Sequence, residues 1–189
     1  MSYISESHPY WSVRSLIEQH TEISMLQFSF YTYRPQSLVD QRTFSSVSRS
    51  DFLNEYFIAS LMGNTPSNEE LAIHSNVTLS DGSIRHIPMV DMFTGSPAHL
   101  DKVRPILGNE TFLNFDWFKS GRSYHGYGAF LMMDTEWYVQ MGKLLLVNQV
   151  GVPLIVDPRW VGHRLIAGYA ALRWTKNTNC YLDLPRRVK

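Results

Sequence analysis

Residues 71–92 read LAIHSNVTL-SDG-SIRHIPMVDM. Two apolar-rich runs, Leu71 to Leu79 and Ser83 to Met92, flank Ser80-Asp81-Gly82. An Asp-Gly pair tolerates the positive φ of a tight turn, so the stretch reads as a β-hairpin. A hairpin in mid-chain is incompatible with a purely parallel sheet and points to an α+β fold.

Upstream, Tyr10 to His20 reads as a short helix with Trp11, Val13, Leu16 and Ile17 on its apolar side. Met25 to Tyr33 (MLQFSFYTY) alternates as a half-buried strand does, and Tyr33 to Ser48 reads as a polar loop. Ser50 to Met62 reads as one helix, capped by Ser50 and stopped by Gly63. Downstream, Ser96 to Leu107 fits a helix with Pro97 in its first turn. The Gly-rich stretch 120–128 reads as a loop leading into a strand over Ala129 to Met133. Asp134 to Val147 reads as a helix capped by Asp134, Val152 to Val156 as a short buried strand, and Asp157-Pro158 as the start of a helix to about Ile166. Ala170 to Thr175 and Asn179 to Leu184 are expected to close the sheet. The expected architecture is a mixed, largely antiparallel sheet with flanking helices. It forms a single domain over 1–189, with 1–70 as an N-terminal part and 71–189 as the motif-bearing core.

The chain has 189 residues, 44% hydrophobic and 13% aromatic, enough for a core and against long disorder. It has no apolar run of membrane-spanning length and no signal-peptide pattern, and its one cysteine, Cys180, excludes an internal disulfide or a Cys-rich zinc site. A reduced cytoplasmic setting without membrane contact is expected. The zero net charge is a cancellation: residues 1–70 carry four basic and eight acidic side chains, 71–156 six and seven, and 157–189 seven and two. A basic C-terminal third is compatible with a phosphate or nucleic-acid surface, and equally with a solvated tail over Arg186 to Lys189.

Three places carry chemistry. Asp91 ends the apolar run Ile87-Pro88-Met89-Val90, where a carboxylate can hold a divalent metal or cap the following turn. Ser120-Gly121-Arg122-Ser123-Tyr124-His125 joins glycine to a guanidinium, hydroxyls and an imidazole that can donate to phosphate. Leu154-Ile155-Val156-Asp157 repeats the first pattern, with the alternative that Asp157 only caps its helix. Arg164, Arg173 and Lys176 follow. Two carboxylates on neighbouring strands with a histidine and several cations form the set that metal-assisted phosphoryl transfer uses. The seven histidines show no HxH or HxxxH spacing, and the chain has no GxSxG, Walker A or GxGxxG sequence.

In this order, strand-Asp, Ser123-x-His125 and Val156-Asp157 with a downstream cation, the chain resembles the archaeo-eukaryotic primase superfamily, the primase-polymerases, over roughly 71–176. The resemblance implies an RRM-like catalytic core. It implies that Asp91 and Asp157 ligate Mg²⁺ or Mn²⁺ and that His125 contacts the phosphates of an incoming NTP or dNTP. Ser120, Arg122 and Ser123 lie beside it, and Arg164, Arg173 or Lys176 supplies the downstream positive charge. It further implies a single-stranded or primed nucleic acid as the second substrate, and a partner protein or helicase subunit. One position departs from the pattern: Phe93 stands where the family's first motif usually has a second acid, as in divergent one-Asp groups. The reading is therefore a templated nucleotidyltransferase, a primase or polymerase of DNA replication. The alternative is a catalytically lapsed relative that binds nucleotide or nucleic acid as a sensor or scaffold, in a mobile-element or defence system. An α+β interaction domain without a nucleotide role is the third reading.

Overall fold

A computed structural model describes residues 2–188. The elements run α1 (Tyr10–Gln19), β1 (Ile23–Tyr31), β2 (Thr43–Ser48), α2 (Arg49–Leu53), α3 (Glu55–Gly63), β3 (Glu70–Leu79), β4 (Ile84–His86), β5 (Met89–Asp91), a 3-10 turn (Pro97–Val103), α4 (Arg104–Leu107), α5 (Asn109–Leu113), β6 (Phe115–Ser120), β7 (Ser123–Gly128), α6 (Asp134–Leu146), α7 (Pro158–Ala167), β8 (Ala171–Arg173) and β9 (Arg186–Arg187). The fold is α+β, with two antiparallel sheets. One has the order β2-β1-β3-β4, with β8 sharing the β4 edge of β3; the other has the order β5-β7-β6-β9.

The 71–92 hairpin forms, but its second arm divides. β4 pairs with β3, whereas β5 pairs with β7 in the other sheet. Pro88 lies between the two arms and has no N–H to continue the ladder. Ile87 N still donates to Ser75 O at 2.7 Å, so the chain passes between the sheets without losing that bond. This crossing puts Asp91 at the seam.

Several expectations are corrected. The 33–48 loop contains β2, an edge strand that sequence polarity conceals because Val47 is its one fully buried residue. The helix over 50–62 is two: Asn54 is extended and caps α3, its Oδ1 accepting from Tyr56 N at 3.1 Å. The 96–107 segment is a 3-10 turn before α4. The Gly-rich stretch is a hairpin, with a turn at Gly121-Arg122 and β7 after it. Gly126 is required by packing, since a Cβ there would meet the Trp117 ring at 2.7 Å. Residues 129–133, 152–156 and 179–184 are not strands; the first two contribute single bridges, Met132 to His86 and Val156 to Met92. α6 is capped at Met133, whose N–H donates to Glu136 at 2.8 Å, and not by Asp134. Arg186 and Arg187 are not a free tail but form β9 on β6, with Arg187 paired to Asp116.

The core joins both sheets. Trp174 meets Tyr10, Phe28 and Phe52 at centroid distances of 5.4–6.2 Å, tying α1 and α2 to the first sheet. Ser75 Oγ, His86 and Asp134 form a hydrogen-bonded chain with 3.0 Å at each step. It has the composition of a hydrolase triad, but Ser75 is fully buried and accepts from Ala170 N. The chain therefore ties β3, β4 and α6 together. No helix among the described residues is long and apolar enough to cross a membrane.

Buried histidines set the acid limit of the fold, His8 and His74 among them. His8 accepts from Tyr10 N through Nδ1 and donates to Trp174 O through Nε2, which fixes it neutral. His74 meets Ser29 Oγ at 2.7 Å and stacks on Tyr169. Burial lowers both from 6.5, His8 to about 4 and His74 to about 3. Each neutral ring gives its full stability above pH 6.5 and loses it as pH falls toward the lowered value. The two together are expected to remove about 3 kcal/mol per pH unit between pH 6 and 5. Urea unfolding across that range measures the slope, which His74→Gln should reduce by about 1.4 kcal/mol per pH unit.

Candidate active site

Asp91 on β5 lies directly opposite His125 on β7, so their side chains share one face of the second sheet. His125 Nε2 is 3.7 Å from Asp91 Oδ1. Residues 155–157 run along the free side of 91–93: Asp157 N donates to Asp91 O at 3.0 Å, and Phe93 N to Ile155 O at 2.8 Å. Asn148 holds this segment flat, its Oδ1 accepting from Ile155 N and Val156 N at 2.8 and 3.1 Å and its Nδ2 donating to Val156 O at 2.9 Å. Asp157 is also the cap of α7, Oδ1 accepting from Arg159 N and Trp160 N at 2.9 and 3.1 Å. Its Oδ2 has no hydrogen bond among the described residues. The cap takes one oxygen, and Asp157 still lines both cavities that Asp91 lines.

Burial, and then repulsion from Asp157, push the Asp91 carboxyl well above its usual range, only partly offset by Arg173. Burial and the nearby Arg173 lower His125 to about 3, so its ring is uncharged at neutral pH. Its Nδ1 is buried without a partner among the described residues. Two carboxyls beside an imidazole with an unspent nitrogen make this the candidate ligand site.

Asp91, His125 and Asp157 sit where two cavities meet. The larger, about 530 Å³, is lined by the Ser120–Ser123 turn and by Phe93, and falls within the usual range for small-molecule sites. Phe93 is 57% exposed at its lip, so the family's second acidic place carries an aromatic face open to solvent. Ser120, Arg122 and Ser123 therefore share a cavity with His125. The smaller cavity, about 160 Å³, takes Arg164 and Arg173 from α7 and β8. Arg173 is buried; it donates to Ser120 Oγ and Asp183 O at 2.9 Å each, and to Thr175 O. It thereby links β8 to the Gly-rich turn. Lys176 is exposed and lines neither cavity, so the structure separates it from the other candidates.

The N-terminal part contributes more than its sequence suggests. Tyr31, Asp40 and Arg42 line the smaller cavity, with the Tyr31 hydroxyl 3.0 Å from that of Tyr181. Glu70 is fully buried and organises the segment after Arg173. Its carboxylate accepts from Thr175 Oγ1 at 2.6 Å, Thr178 N and Oγ1 at 2.8 Å, and Asn177 N at 3.0 Å. A lone Glu before an apolar strand gives little local signal of this. Its donors lie more than a hundred residues away. Asn148 is equally silent, as an ordinary polar residue after a helix.

Among the described residues no group of three His, Cys, Asp or Glu side chains converges as a metal cage. No curated protein and no solved structure matches the chain. A family model described as AEP-like, archaeo-eukaryotic primase 1D-like, matches residues 49–186, which include Asp91, the Ser123-x-His125 segment of β7 and Asp157. With that match across most of its length and an α+β fold of antiparallel sheets, the chain belongs to the archaeo-eukaryotic primase 1D-like family.

Proposed function

We propose that the chain is a templated nucleotidyltransferase, with the Asp91–Asp157 pair as its reaction centre. Family membership supports primase/polymerase-like nucleotidyl transfer as the coarse activity class. The observation that carries the finer reading is that Asp91 and Asp157, joined by the Asp157 N to Asp91 O bond, line the same cavities as His125, with Asp157 Oδ2 uncommitted among the described residues. Such a pair fits a divalent cation, Mg²⁺ or Mn²⁺, that takes its remaining ligands from phosphate and water. When bound, the cation neutralises phosphate charge and acidifies the attacking hydroxyl.

The chain's own residues do the rest. Arg122 and Ser123 offer donors to the triphosphate from the turn, and the neutral His125 donates an N–H. Arg173 adds positive charge from below without itself losing its bonds. The 3′-hydroxyl of the growing strand gives its proton to water as its oxygen bonds to the α-phosphorus, the bond from that phosphorus to the bridging β-phosphate oxygen breaks, and pyrophosphate leaves. The basic C-terminal third is a fitting partner for a single-stranded or primed template.

Asp157→Asn tests this reading with little risk to the fold, because Asn caps a helix as well as Asp. Incorporation of labelled NTP or dNTP on primed and unprimed single strands, with Mg²⁺ or Mn²⁺, is expected to fall on the order of 10²-fold or more. Product that survives the substitution overturns the assignment. Phe93 favours one second reading, a nucleotide-binding relative without transfer: triphosphate binding lost in His125→Ala, with no product from the parent chain, is its signature.

A further inference from the structure

The segment 32–42 crosses the smaller cavity and precedes the family-matched region, which begins at residue 49. Its chain is held down by α7: Arg159 Nη2 and His163 Nε2 both meet Ser37 O, at 2.8 and 3.1 Å. The hold works against local preference. Gln36 has φ 60°, the one non-glycine residue with positive φ among those described, and Leu38 and Val39 face solvent at 87% and 65% exposure. At the far end Asp40 Oδ2 accepts from Arg42 Nε at 2.8 Å and from Arg164 Nη2.

Arg164 is 2% exposed, and its Nη1 is buried without a partner among the described residues. One carboxylate therefore serves two guanidinium groups and leaves a donor and a positive charge unspent. A phosphate group offers more acceptor oxygens and up to two charges, and paired arginines are its usual receptors. We propose that Arg42 and Arg164 form a phosphate-binding site that the Asp40 carboxylate fills in place of the ligand, and that the 32–42 segment is a strap which lifts when a phosphorylated ligand enters. The 160 Å³ beneath the strap is smaller than a nucleotide-sized pocket, so entry requires the lift. Because the same cavity reaches Asp91, His125 and Asp157, the strap competes with substrate at the candidate centre. This extends the proposed function by adding Arg42 and a built-in competitor. The anion site itself stands whether or not nucleotidyl transfer occurs.

Calorimetric titration of the full chain with tripolyphosphate, without divalent metal, tests it. Asp40→Asn is expected to bind about 10-fold tighter than the parent. Arg159→Ala, which removes one of the two bonds to Ser37 O and nothing from the Arg42–Arg164 site, should also bind tighter, and it keeps the test open if Asp40→Asn folds poorly. The gain should vanish in Asp40→Asn/Arg164→Met. Unchanged or weaker binding in both single variants overturns the proposal, as does a gain that survives Arg164→Met. Two further arms locate the phosphate: a gain for dNTP alone assigns it to the nucleotide's triphosphate, and an equal gain for single strands with and without a 5′-phosphate assigns it to the strand backbone. The incorporation assay with Asp157→Asn reads the proposed function separately, so either can fail alone.

Discussion

Asp91→Asn is expected to abolish nucleotide incorporation, by on the order of 10³-fold, while making the protein more stable. The two effects share one cause. Burial and Asp157 disfavour the charged Asp91 carboxyl in the native state, whereas the unfolded chain carries it at no cost. This deficit grows as pH rises from the ordinary carboxylate range through the raised value, and it is fully present above. An amide of the same shape removes it. Thermal melts at neutral pH should show Asp91→Asn about 2–4 °C above the parent, with the difference shrinking toward pH 4. A variant both inactive and less stable would mean that Asp91 is a structural acceptor only.

Glu70→Gln is expected to produce the opposite extreme, a large loss of stability from a residue that touches no part of the candidate centre. Both Glu70 oxygens accept hydrogen bonds, and every group facing them is a donor. An amide nitrogen at the Oε1 place meets the Asn177 and Thr178 N–H groups donor to donor; at the Oε2 place the Thr175 hydroxyl must reverse to accept it, and the carboxylate's charge-assisted bonds are lost in either case. The expected cost is about 3–5 kcal/mol in urea unfolding. Freed from Glu70, residues 175–178 no longer hold Arg173 from behind, so triphosphate binding should weaken in whatever fraction stays folded. A change below about 0.5 kcal/mol would show that this network does not anchor the segment.

The fold class was legible because Ser80-Asp81-Gly82 and the apolar runs around it state a hairpin within a few residues. What stayed hidden depends on distant chain. The stretch 120–128 reads as a loop by its glycines, yet Ser123–Gly128 is strand β7 and Gly126 is fixed by the Trp117 ring lying over it. β2 is too polar to announce itself, since an edge strand buries little. The three motif residues stand out in sequence because each has a local context, an apolar run or a glycine turn. Asp40, Arg42, Glu70 and Asn148 lack one. Their surroundings are assembled from residues 29 to 178, and the acidic first third, which carries no motif, supplies three of them. The helix-cap reading of Asp157 holds, its Oδ1 accepting from Arg159 N and Trp160 N; what the local sequence could not show is that the capping residue also lines the cavities shared with Asp91 and His125.

The central claim is that Asp91 and Asp157 together hold a divalent cation on a nucleotide. Manganese binding followed by electron paramagnetic resonance, with and without nucleoside triphosphate, addresses it before any turnover. The parent should bind Mn²⁺ with the nucleotide, and both Asp91→Asn and Asp157→Asn should lose most of that binding while remaining folded. Mn²⁺–nucleotide binding that persists unchanged in both variants would contradict it.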